Sequence, residues 1–327
     1  MVGDLASKKK PEILDEIRAL MKCDTAGDPI SGLKWTRKTT KKISKALALV
    51  GIHVSRNTVG RLLKKMDFRL RVNHKKRSTA SPTDRDRQFK RIKRLRNSFA
   101  REGDPAISVD AKKRELVGNF KNSGVAWKQE ALKTLDHDFR SDAIGVAIPF
   151  GLYDPVANRG FVVVGTSRET PAFVVDCLVK WWQFEGRKHY PHAKRLLVLA
   201  DAGGGNGSRS RVWRARLQTK FCDRFGIAVT VCHYPPGTSK WNPVEHCLFS
   251  PISNNWEGEP LETYEKILKF IRTTTTETGL KVRAFLTTKT YPKGGSISEQ
   301  EMKSLFIRKP TTLSNWNYTI MPRKKTN

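Results

Sequence analysis

Apolar residues recur along this chain in two rhythms, and the change between them divides it. Up to about residue 100 the spacing is helical. After Pro11, the residues Ile13, Ile17, Leu20 and Met21 share one face. Thr25 to Pro29 reads as a turn. Ile43, Leu47 and Val50 mark a second helix that Gly51 ends, and Ser55 is placed to cap a third carrying Val59, Leu62 and Leu63. Residues 34–68 therefore predict a helix-turn-helix, with Arg56, Asn57 and Arg61 at the groove-facing end of its second helix. A basic, turn-rich linker follows at 69–83, containing Lys75-Lys76-Arg77. Residues 84–101 give one more helix, with Phe89, Ile92, Leu95 and Phe99 on one face and Arg or Lys over the others.

From residue 106 the rhythm changes to short apolar runs bounded by turn residues, the mark of buried strands. Ala106 to Asp110, Ala143 to Pro149 and Gly160 to Gly165 read as an antiparallel meander. A helix over 171–184 leads to Leu196-Leu197-Val198-Leu199-Ala200-Asp201, then Gly203-Gly204-Gly205-Asn206-Gly207. A basic helix over 209–225 leads to a fifth strand, Ile227 to Cys232. A proline-glycine loop at 235–242 opens a helix at Pro243 that carries Glu245 and turns Leu248 and Phe249 inward. Strands joined through helices run parallel. The prediction is an α/β fold with a mixed five-stranded sheet flanked by helices, behind an all-α N-terminal region. The domains read as 1–68 helical, 69–102 basic linker and helix, 103–255 core, and 256–327 C-terminal extension with a helix at 260–272, a strand near 280–287 and a short helix at 297–306.

Charge sharpens this picture. Among 327 residues, 62 Lys+Arg face 31 Asp+Glu, a formal net charge of +31. Such an excess predicts an extended polyanionic partner, most simply nucleic acid. Ribosomal and membrane-surface proteins share the excess, but 8 Trp and 15 Phe belong to a folded domain rather than a basic tail. The 5 cysteines are widely spaced and form no Cys-x-x-Cys, which argues against a disulfide framework and for a reducing compartment. Cys232-His233 and His246-Cys247 make poor zinc pairs, because adjacent strand residues point to opposite faces. No apolar run reaches membrane-spanning length. The expected location is the cytosol, with access to the chromosome and no membrane partner.

Two strands end in Asp, and the helix after the last strand begins with a Glu. If the first and fourth strands are neighbours, Asp110 and Asp201 meet, and Glu245 joins from the flanking helix. Three such carboxylates repel unless a divalent cation neutralises them. All-oxygen ligands suit Mg²⁺ or Mn²⁺, and two such ions can drive phosphodiester chemistry. Glu115 is an alternative to Asp110, and Glu257 and Glu259 are alternatives to Glu245. Lys112, Lys113 and Lys240 flank the acids as candidate phosphate contacts. The glycine run lacks the spacing of a dinucleotide fingerprint.

These residues carry a resemblance. Ile-Ser-Val-Asp110-Ala-Lys-Lys, Leu-Ala-Asp201-Ala-Gly-Gly-Gly-Asn-Gly and Pro-Pro-Gly-Thr-Ser-Lys-Trp-Asn-Pro-Val-Glu245-His resemble the Asp-Asp-Glu core of bacterial insertion-sequence transposases of the ISAzo type. The segments at 34–40, 116–122 and 316–320 resemble that family too. The resemblance implies a ribonuclease-H-like catalytic domain, an acidic triad of Asp110, Asp201 and Glu245, and metal-dependent cleavage of transposon ends with strand transfer into target DNA. The expected partners are double-stranded DNA, end and target, and further copies of the chain in a homodimer or higher oligomer. Members of the family carry a further N-terminal DNA-binding segment, so this chain reads as a truncated or internally initiated copy. A DNA-binding repressor of the element and a structure-selective nuclease are the alternatives.

Overall fold

The computed structural model describes residues 12–22, 25–27, 34–36, 39–69, 82–125, 128–238 and 241–323. The basic run Lys75-Lys76-Arg77, Lys240 and Lys324-Lys325 lie outside the described residues. The chain forms two compact units, Met1–Arg77 and Ser78–Asn327.

In the first unit, helix α1 (Glu12–Lys22) precedes α2 (Thr40–Leu49) and α3 (Arg56–Lys65). Where the sequence predicts a plain turn, β1 (Thr25–Gly27) pairs antiparallel with β2 (Lys34–Thr36). Thr39 caps α2 by accepting from the Lys42 N–H at 3.2 Å, and Ser55 caps α3 by accepting from the Thr58 N–H at 3.2 Å. Gly51 takes a φ of +79°, which a side chain would resist, and turns the chain between the two helices. The Ser44 hydroxyl holds that turn by donating to the Val54 carbonyl at 2.6 Å. Ile13, Ile17, Ile43, Leu47, Val59 and Leu62 are buried together, so apolar side chains at helical spacing weld three helices. Arg56, Asn57 and Arg61 stay exposed on α3.

The second unit begins with α4 (Pro82–Arg101) and is built on one mixed sheet. Its strands are β3 (Ala106–Ala111), β4 (Glu115–Val117), β5 (Gly145–Asp154), β6 (Arg159–Gly165), β7 (Arg195–Ala200), β8 (Ala228–His233), β9 (Lys281–Thr287), β10 (Ile307–Arg308) and β11 (Asn317–Ile320). The order is β10-β11-β8-β7-β3-β5-β6-β9, with β4 paired to β5. At its centre β3, β5 and β6 form an antiparallel meander, and β7 and β8 run parallel to β3. That five-strand heart is the ribonuclease-H-like arrangement. Residues 256–327 add three more strands, β9 parallel to β6 on one edge and β11 with β10 on the other, and with β4 the sheet has nine strands among the described residues.

Strand β7 shows why its sequence is apolar throughout. Leu196, Val198 and Ala200 enter one core with α5 (Pro171–Trp181) and α6 (Arg211–Arg216). Leu197 and Leu199 enter a second core with Ile92 and Phe99 of α4. Both faces are covered, so no alternation survives.

Candidate active site

The acids stand where the strands end. Val109 of β3 is in register with Ala200 of β7, so Asp110 and Asp201 leave two adjacent parallel strands side by side. Glu245 arrives on another element. It opens a π-helical turn, Glu245–Phe249, that runs into α7 (Ser250–Asn255). This turn lies over a hollow made by glycines. A Cβ on Gly151, the residue opposite Asp110 in the β3–β5 register, would stand 2.5 Å from the Phe249 ring. A Cβ on Gly160 would overlap Leu248. Two missing side chains thus let the Glu245 turn close onto the sheet.

Asp110 records the outcome. Its carboxyl is pushed up to about 8, first by burial, then by the charge of Asp201, with the charge of Glu245 and a hydrogen bond to Glu245 adding to it; only the Ala111 N–H, at 2.8 Å, opposes. The three acids therefore meet at one carboxyl. Among the described residues no three His, Cys, Asp or Glu side chains are grouped closely enough to hold a metal ion as they stand. The acids form an open gathering in which Asp201 and Glu245 both raise the Asp110 carboxyl. Its chemistry, carboxylate oxygens only, fits a hard divalent cation.

A buried amide ties the three elements together. Asn242 is fully buried and donates to the Asp201 carboxylate at 3.2 Å and to the Val109 carbonyl at 3.4 Å. Its own oxygen accepts from the Ser108 hydroxyl, and the Ser108 oxygen accepts from the Val244 N–H at 3.3 Å. One side-chain pair thus links β3, the end of β7 and the residue preceding Glu245. His233 adds a second tie, its Nδ1 3.0 Å from the Asp201 carbonyl oxygen. A carbonyl only accepts, so Nδ1 carries the proton. Burial holds this imidazole down at about 4, hence neutral.

Two of the three competing acids are paired within the fold. Glu115 pairs with Lys112 at 3.1 Å, and Glu259 pairs with Lys128 and Lys266. Lys112 also lies 4.7 Å over the Trp256 ring, so its charge is engaged within the fold. Lys113 is exposed. The tie from Asn242 to Ser108 and Asp201 has no signal in the sequence, nor does Glu169, which accepts from the Gly205 N–H at 2.9 Å and fixes the glycine loop. A cleft of about 1020 Å³ is lined by Asp110, Asp201 and Glu169 together with Arg209, Arg214 and Lys309.

Acids gathered at the strand ends of a ribonuclease-H-like sheet define an enzyme of polynucleotidyl transfer. Over residues 16–322 the chain matches the family described as the Rhodopirellula transposase DDE domain, and it belongs to that family: it is a DNA transposase of the Asp-Asp-Glu class. No curated protein matches it. Solved structures similar to it include the Mos1 transposase paired-end complex with left transposon end, 16% identical over 79% of this chain and 69% of that one, TM-score 0.44. The Mos1 mariner paired end complexes with Mn and with Mg are 16% and 15% identical, each over 79% of this chain and 69% of that one, TM-score 0.45.

Proposed function

We propose that Asp110, Asp201 and Glu245 are the catalytic acids and that they act on duplex transposon ends and then on target DNA. The observation that carries this is the Asp110 carboxyl, which feels both other acids although they come from distant parts of the chain. Two Mg²⁺ or Mn²⁺ ions held by these oxygens would supply the Lewis acidity that activates an attacking oxygen and stabilises a leaving one. The rigid strand ends hold Asp110 and Asp201 side by side, Asn242 orients Asp201 by its N–H, and the π-helical turn brings Glu245 to the pair. The reaction has two displacements. Water breaks the P–O3′ bond at the element's end, leaving a 3′-hydroxyl and a 5′-phosphate. That 3′-oxygen then forms a new ester at a target phosphorus and expels a 3′-hydroxyl of the target strand. Arg56, Asn57 and Arg61 of the N-terminal helices, with Lys113 and Lys240, are assigned to DNA contact. Two ends present two identical substrates, so the working assembly is at least a pair of chains.

The test uses end-containing duplex with Mg²⁺ or Mn²⁺. Wild-type protein should cut and join. Asp201→Asn should do neither while binding the duplex normally. Undiminished cutting by that variant overturns the assignment. Binding with no cutting by wild type points to a repressor, and cutting without joining to a nuclease.

A further inference from the structure

Helix α4 has two unlike sides. Gln88, Ile92 and Phe99 are buried against the sheet, with Phe89 and Leu95 packed beside them. On the opposite side Lys90, Lys93, Arg94, Asn97, Ala100 and Arg101 form one exposed strip. They recur at helical spacing, and four of the six are cations. None of the four makes an ion pair among the described residues. Like charges three and four residues apart on a helix repel. The fold accepts that cost because the buried side fastens the helix.

The fastening fixes its direction. Near its start, Gln88 donates to the carbonyl of His233, at the strand end beside Asp201, at 2.9 Å. Phe89 meets Trp241 edge-on at 6.1 Å, next to the Asn242 that braces Asp201. At the far end, Phe99 lies under the Arg195 guanidinium, at the first residue of β7. Helix α4 therefore runs antiparallel to β7, from the catalytic edge of the sheet down one flank. Lys90 to Arg101 spans about 16 Å of helix, a length over which each strand of a duplex carries about five phosphates.

We infer that this strip is a docking surface for the sugar–phosphate backbone of duplex DNA flanking the phosphodiester at the carboxylates. Charge complementarity names the occupant. The strip contains no aromatic ring, so it offers unpaired bases nothing to stack on, which favours duplex over single strand. Lysine and arginine contacts to phosphates position a duplex without reading its sequence. The inference rests on the proposed active site only for where the strip leads.

The experiment measures binding of the full chain to a labelled transposon-end duplex, and to an unrelated duplex, across a series of KCl concentrations. Each phosphate contact contributes about 0.9 to the slope of log affinity against log salt. The combined variant Lys90→Gln, Lys93→Gln, Arg94→Gln and Arg101→Gln should lower that slope by about 3 to 4 on both duplexes. The pair Lys93→Gln and Arg94→Gln alone should lower it by about 2, and serves if the fourfold variant melts early. A control losing the same charge from other exposed positions, Arg187→Gln, Lys188→Gln, Lys293→Gln and Lys303→Gln, should change the slope by less than about 1. A strip variant with the wild-type slope, or one shifted no more than the control, overturns the inference. Wild-type binding that ignores salt would instead sink the DNA reading itself. Asp201→Asn should keep the full slope while losing cleavage, which separates failure of the docking surface from failure of the active site.

Discussion

Asp110 and His233 titrate in opposite senses, and both leave a mark on stability. A carboxyl raised from 3.8 to about 8 binds its proton more tightly when folded. Its contribution is fully present below its ordinary value and is lost as pH rises through about 8. In chelator, the protein should therefore unfold at lower urea at pH 8.5 than at pH 6.5, Asp110→Asn should flatten that difference, and Mg²⁺ should offset it. His233, lowered from 6.5 to about 4, behaves inversely: its contribution is present above 6.5 and is lost as pH falls towards 4. Followed in the Asp110→Asn background, that loss should amount to about 3 kcal/mol by urea titration. Asn242→Ala leaves the Ser108 hydroxyl and the Val109 carbonyl without this partner in a buried site, which should cost about 1–3 kcal/mol. It should also slow cleavage, read as lower kcat with little change in DNA affinity. The acids were legible in the sequence because each sits where a strand ends or a helix begins. The brace was not, because Asn242 finds its partner Ser108 134 residues away, and no local pattern encodes that meeting.

At the scale of elements, the long periodic pieces were legible and the short ones were not. Helix α4, the meander, β7 and β8 were all readable from apolar spacing. Strands β4, β10 and β11 contain 3, 2 and 4 residues, too few for alternation to register. The π-helical turn at Glu245 was equally hidden, since its apolar Leu248 and Phe249 fit an ordinary helix just as well. Its seat depends on glycine. Gly151→Val puts branched carbon into the space of the Phe249 ring and should cost about 1–3 kcal/mol through overpacking. Because the turn must lift, cleavage should fall further than the melting temperature implies, with DNA binding unchanged. Wild-type cleavage by that variant would show that the seat does not govern Glu245.

At the scale of the whole molecule, the extension beyond residue 255 is structural. Strand β9 closes one edge of the sheet, and β11 lies between β8 and β10 on the other. Tyr318 and Ile320 are buried, and the Tyr318 hydroxyl accepts from the Trp213 indole N–H at 2.7 Å. A chain stopped before Asn317 should lose that inner strand and expose β8, and should sediment as aggregate rather than as a soluble protein. Net charge and fold class were legible at this scale, and so was β9 as the strand near 280–287; β10 and β11 were not, because they are too short to show a pattern and β11 finds its partner β8 much earlier in the chain.

One of those long pairings has a consequence for timing. Asn317 receives a hydrogen bond from Gln88 at 3.0 Å and returns one at 2.7 Å, joining the first helix of this unit to one of its last strands. A ribosome delivers Gln88 long before it delivers Asn317. Until residue 320 has emerged, α4 lacks this one of its fastenings and β8 has a bare flank. The flank of the sheet that carries α4 is therefore completed last, after all three acids have already been made.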